Sequence, residues 1–149
     1  MTIVYFVQHG IAESKEIDPA RPLSKSGEEI TARLAALLNR KDVQITKVCH
    51  SSKLRAEQTA SIFASILDVS EVTQLDGMNP NDDPSIIIGN MTDATMYIGH
   101  LPHVQKVVSK LVTDDENNQV LEFQNSAVAC IEIEDNQAYL KWFITPDLC

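Results

Sequence analysis

Three short runs of apolar and β-branched residues constrain this chain more than anything else in it: TIVYFVQ at 2–8, ITKVCHS at 45–51 and ATMYIGH at 94–100. The first and third are continuous enough to read as buried strands, and ITKVCHS reads as a second strand between them. Between them lie segments of helical period. SKSGEEITARLAALLNRK (24–41) sets Ile30, Leu34, Leu37 and Leu38 on one side, with Ser24 or Ser26 available as cap. KLRAEQTASIFASILD (53–68) does the same with Leu54, Ile62, Ile66 and Leu67, and PHVQKVVSKLV (102–112) is a further helix with proline near its start. EVTQL (71–75) predicts a short strand. After the turn-rich DGMNPNDDP, Pro84 is expected to open a short helix at its first position. SAVACIEIED and QAYLKWFI predict a closing hairpin turned at Asp135-Asn136. Alternating strands and helices predict an α/β fold: one doubly wound, three-layer α/β/α domain over residues 1–149, its sheet mostly parallel with antiparallel edge strands.

Charge narrows the partners. A formal net charge of -9 argues against non-specific binding to nucleic acid or to an anionic membrane, since both require a cationic face. Cys49, Cys130 and Cys149 are odd in number, widely spaced and form no CxxC, so neither a zinc ribbon nor a disulfide scaffold is indicated. Cys49 and Cys130 lie in apolar runs and are expected in the core. No signal-like leader and no membrane span is read, which leads to the expectation of a reducing, cytoplasmic setting.

Open α/β sheets bind ligands beyond the carboxyl ends of their strands. Here the first strand ends at His9-Gly10, the second runs into Ser51-Ser52 and the helix bearing Arg55, and the third ends at His100. Arg21 lies in the loop that leaves His9. Two imidazoles and two guanidinium groups at one edge suit a phosphoryl group. A guanidinium grips two oxygens and stays charged, and a neutral imidazole is a competent nucleophile toward phosphorus. Gly10 is expected to let the backbone approach a ligand. A metal site from His9, His50, His100 and His103 is disfavoured. Leu101-Pro102 interrupts the last pair, and no cysteine stands at ligand spacing.

VQHGIA at the start, RPLSKSG at 21–27, SSKLRAEQTA at 51–60 and GHLPHV at 99–104 resemble the histidine phosphatase (phosphoglycerate mutase-like) superfamily, and within it the short SixA-type phosphohistidine phosphatases. The resemblance spans the chain, including the tail SAVACIEI. It implies that His9 is the nucleophile that becomes phosphorylated. It also implies that Arg21 and Arg55 hold phosphate oxygens and that His100 stabilises charge in transfer. Neither metal nor cofactor would be required.

Two positions depart from the family pattern. Its usual Arg-His-Gly is Gln8-His9-Gly10 here, so Gln8 is expected to touch phosphate through a neutral amide. A charge-assisted bond is worth about 1.5–3 kcal/mol against about 1 for a neutral one, so an approximately tenfold weaker clamp is expected. The larger members place a glutamate acid in a Leu-x-Glu pattern, where this chain has Leu75-Asp76-Gly77. Asp76, Asp82 and Asp83 lie nearby and could substitute, with Asp82 and Asp83 the candidate general acids, although NDDP also suits a turn before a helix. A weak acid favours a substrate whose leaving group needs little help, and imidazole, with a conjugate-acid pKa of about 6.5, is one. The stretch between residues 68 and 94 is too short and turn-rich for a cap domain. The expected substrate is therefore a phosphohistidine on another protein, such as a histidine-containing phosphotransfer domain. The alternatives are a small-molecule phosphomonoesterase of the same fold, or a weakly active or silent phosphate- or phosphoprotein-binding module marked by Gln8.

Overall fold

A computed structural model describes residues 1–149. Six strands form one sheet: β1 (Thr2–Gln8), β2 (Lys47–His50), β3 (Glu71–Gln74), β4 (Thr95–Gly99), β5 (Val128–Glu134) and β6 (Gln137–Ile144). The helices are α1 (Lys25–Arg40), α2 (Leu54–Leu67), α3 (Pro84–Ile88) and α4 (His103–Thr113), with a terminal 3-10 turn at Pro146–Leu148. The expected α/β architecture is the one observed. The sheet order is β3-β2-β4-β1-β5-β6, with β1 to β4 mutually parallel and β5-β6 antiparallel at one side.

This order positions the functional edge. The chain lays down β1, then β2 and β3, and only then inserts β4 between β1 and β2. Gln8 pairs with Gly99 and His50 with Ile98, so the three strands end level. The ladder continues one residue further, with His9 N–H donating to Gly99 O at 3.0 Å and Ser51 N–H to Ile98 O at 3.3 Å. His9, Ser51 and His100 are thus placed side by side by main-chain bonds.

Period-two alternation splits the core. Tyr5, Val7, Val48, Met96 and Ile98 pack with Leu34, Ala35 and Leu38 of α1 and Ala56, Ala60, Phe63 and Ala64 of α2. Val4, Phe6, Cys49 and Tyr97 face the other way, onto Ile87 of α3 and Val104, Val107 and Val108 of α4. Helices therefore cover both faces, as a mostly parallel sheet requires. Cys49 and Cys130 are buried, one on each face, as expected.

Local chemistry explains the boundaries. Ser24 is the cap of α1, its hydroxyl accepting from Gly27 N–H. Pro84 is the first residue of α3, and Asp83 caps it by accepting from Ser85 N–H. Asp135 and Asn136 take φ of 53° and 63°, the left-handed pair that a two-residue hairpin turn needs.

The inward face of α2 differs from the expectation. Leu54 is 36% exposed and Ile62, Ile66 and Leu67 are only half-buried, whereas Ala56, Thr59, Ala60, Phe63 and Ala64 are buried. Alanines at positions 56, 60 and 64 form one small-residue stripe. It faces the core and leaves the bulky aliphatics to its flanks.

Candidate active site

His9 leaves β1 with its backbone fixed from both sides. Its carbonyl accepts from Asn125 Nδ2 at 3.0 Å and from Ser126 N–H at 3.3 Å. Its ring Nδ1 lies 2.7 Å from Gly10 O. A carbonyl can only accept, so Nδ1 carries the proton and Nε2 keeps its lone pair. Burial, opposed by that hydrogen bond and reinforced by the charges of Arg55 and Arg21, lowers the His9 pKa to about 4. At neutral pH the ring is uncharged, with its lone pair on Nε2.

His100 faces it, with ring centroids 5.0 Å apart and planes inclined by 53°. It is 2% exposed, and its Nε2 lies 2.6 Å from Ser51 Oγ. Its Nδ1 is buried and has no partner within the protein. Burial first, then His9, Arg55, Lys53 and His103, lowers its pKa to about 3.

Arg55 occupies the first turn of α2, and its Nε is also buried without a partner. Burial and then Arg21 lower its pKa. Such a group is a cation in search of an anion. Arg21 sits in the β1–α1 loop at φ 50°, its Nε donating to Glu13 O at 3.0 Å and its N–H to Asp18 O at 2.9 Å. Neither α2 nor α4 has a side-chain cap, so two helix N-termini add positive potential at this edge. Gln8 ends β1 beside Gly99, and its buried Oε1 is likewise unpartnered. The unsatisfied polar atoms of Gln8, Arg55 and His100 thus belong to residues at one sheet edge, where a tetrahedral oxyanion would satisfy the donors among them.

The loops are tied together by residues the sequence reading did not single out. Gln58 Oε1 accepts from Leu23 N–H at 2.7 Å, anchoring the Arg21 loop to α2. Thr59 Oγ1 accepts from Gly10 N–H at 2.9 Å and donates to Arg55 O at 2.7 Å. RAEQT therefore supplies Arg55 and two of the struts that hold its neighbours. The motif was the available signal, but only its arginine was read for chemistry. Packing also selects glycine at position 10, since a Cβ there would lie 2.8 Å from Thr31 Oγ1.

Asp82 and Asp83 are engaged by their own loop. Asp82 Oδ2 accepts from Asn79 N–H at 2.9 Å, and Asp83 caps α3. Hydrogen bonds to Ser85 lower the Asp83 pKa, which holds it ionised and unsuited to proton donation. Gly77 has φ 86°, and a Cβ there would come within 2.6 Å of Ile86 Cγ2. No carboxyl side chain fits that position without rearrangement. The largest surface groove, about 450 Å³ between α1 and α2, is lined by Glu28 and Glu29 and is electrostatically wrong for phosphate.

In fold the chain is similar to structures of the histidine phosphatase superfamily. In sequence it is a homologue of phosphohistidine phosphatase SixA from Escherichia coli strain K12, 26% identical over 153 residues, covering 96% of this chain and 93% of that protein. A solved structure of protein histidine phosphatase SixA complexed with tungstate superposes with a TM-score of 0.88 at 25% identity, covering 99% of both chains. Phosphoserine phosphatase from Entamoeba histolytica, in complex with 3-phosphoglyceric acid, shares the fold at a TM-score of 0.74 and 14% identity, over 97% of this chain and 98% of that one. No protein-family model matches the chain. No helix is long and apolar enough to cross a membrane.

Proposed function

We propose that the protein is a metal-independent phosphatase of protein phosphohistidine that works through a phosphorylated His9. The carrying observation is the His9 ring, whose Nδ1 proton is committed to Gly10 O while Nε2 is left free beside the unpartnered Nε of Arg55 and Nδ1 of His100. In the first step the Nε2 lone pair attacks phosphorus and the substrate P–N bond breaks. The electron pair leaves with the substrate imidazole, which takes up a proton. In the second step water attacks the phosphoenzyme, releasing inorganic phosphate and returning the pair to His9 Nε2. Arg55, Arg21 and the Gln8 amide hold the equatorial oxygens throughout, so catalysis is mostly positioning and electrostatics.

The leaving group supports the phosphoramidate reading. Gly77 admits no carboxylic acid, and Asp82 and Asp83 are spent on turns. An alkoxide would need an acid, and imidazole needs far less help. The surroundings support a macromolecular substrate. Ile11, Leu54 and Leu101 are each at least a third exposed, and each stands within two residues of His9, Arg55 or His100. Apolar side chains at such positions suit the surface of a folded phosphotransfer domain better than a solvated sugar phosphate.

The test is loss of label from a phosphorylated histidine-containing phosphotransfer domain, run beside sugar phosphates and beside His9→Ala. Turnover of the phosphoprotein that requires His9 is expected. Faster turnover of sugar phosphates would establish the small-molecule reading. Tight phosphate binding without hydrolysis of either would establish a binding module.

A further inference from the structure

Ser51 is 1% exposed and stands where β2 meets the loop to α2. Its Oγ has two neighbours: Lys53 N–H, which donates to it at 3.3 Å, and His100 Nε2 at 2.6 Å. The second contact admits two proton arrangements. If Nε2–H donated to Oγ, the hydroxyl would accept twice and its own proton would be stranded in a buried place. Nδ1 of His100 would then present a lone pair beside the phosphoryl site. If the hydroxyl donates to Nε2, both of its roles are filled and the His100 proton sits on Nδ1. That is the buried ring atom with no partner in the protein.

We propose that Ser51 is a positioning residue whose hydroxyl donates to His100 Nε2, fixing the imidazole in the tautomer that presents an Nδ1–H donor to the phosphoryl oxygens. This rests on the reading of His100 as a phosphoryl contact. The choice of tautomer matters because His100 is uncharged near neutrality, and a neutral imidazole donates from one nitrogen only. The groups that face it are His9, Arg55, Lys53 and His103, each of which opposes a second proton on the ring. His9 is fixed by a carbonyl and His100 by a hydroxyl, so the two rings are set in complementary states. One offers a lone pair to phosphorus and the other a proton to its oxygens.

The tautomer is read directly by long-range proton–nitrogen correlation on the ring of His100 in the wild-type protein at about pH 7.5, a pH at which histidine tautomers are distinguishable. A protonated Nδ1 and an unprotonated Nε2 are expected, and the reverse pattern overturns the proposal. Ser51→Ala should lower kcat about ten- to hundredfold, the effect of one misdirected bond to a charged group, with little change in KM. Ser51→Thr should recover most of it. A deficit that threonine does not recover would mean a structural role only, and would overturn the proposal. The wild-type spectrum needs neither a folded variant nor turnover. A protein with the expected tautomer and no phosphatase activity would therefore refute the activity and leave the Ser51 assignment standing.

Discussion

The rings of His9 and His100 lie 5.0 Å apart, centroid to centroid, at an inclination of 53°. That spacing leaves the two imidazoles neighbours but not stacked, so each can address a different part of one phosphoryl group. His9 Nδ1 is already committed to Gly10 O, which leaves Nε2 as the ring atom free for the attack proposed above. His9→Ala should therefore abolish the acid-labile phosphoenzyme and reduce turnover by at least about 10³-fold, as expected for loss of a covalent nucleophile. Quantifying label retained on the protein after a brief reaction checks this, and retained turnover refutes it.

The two arginines should not be equivalent. Arg55 Nε is buried without a partner on a helix, while Arg21 Nε is engaged by Glu13 O in a loop. Arg55→Ala should cost about ten- to hundredfold in kcat/KM, the range for losing a charge-assisted bond, and Arg21→Ala less. Steady-state kinetics on one phosphoprotein would rank them. An equal or reversed order would show that the loop arginine carries the clamp.

Acid should loosen the fold in a defined window. The pKa of His9 is lowered to about 4 and that of His100 to about 3, below the ordinary 6.5. Below 6.5 the unfolded chain takes up protons that the folded chain resists. The stability these groups contribute is therefore complete above about pH 6.5 and is lost as pH falls toward their folded values. The melting temperature should decline through that range. Saturating phosphate should lessen the decline, because an anion favours the protonated rings. Scanning calorimetry at stepped pH, with and without phosphate, measures both, and an unchanged slope with phosphate would place the anion elsewhere.

Gln8→Arg should tighten phosphate binding by about 1–2 kcal/mol, because a charge-assisted bond replaces a neutral one while desolvating the new guanidinium offsets part of the gain. Titration calorimetry gives the affinity. Weaker binding in a stably folded variant would mean that the glutamine is a specific element of the site.

Gly77→Glu should not install a general acid. At φ 86° and against Ile86 the new side chain is strained whichever way it turns, so the expected result is a lower melting temperature and no gain on alkyl phosphates. A stable variant with increased sugar-phosphate turnover would contradict this.

Much of the molecule was legible in one dimension. Buried strands announce themselves as short β-branched runs, and helices by period, so β1, α1, α3 and the closing hairpin follow from local chemistry. That His9, Arg55 and His100 would gather at one sheet edge was legible because polar side chains directly after apolar runs stand out. Tertiary structure alone decided that β4 enters between β1 and β2, which sets His100 beside both His9 and Ser51. It also decided that alanines rather than leucines turn inward on α2, because which face of a helix meets the core depends on the elements it packs against. The struts were hidden for a related reason. Thr59 reaches Gly10 across 49 residues, Gln58 reaches Leu23 across 35, and Asn125 reaches His9 across 116. Single hydrogen bonds between distant segments leave no period in the sequence, so they become visible only when the chain has brought their partners within reach.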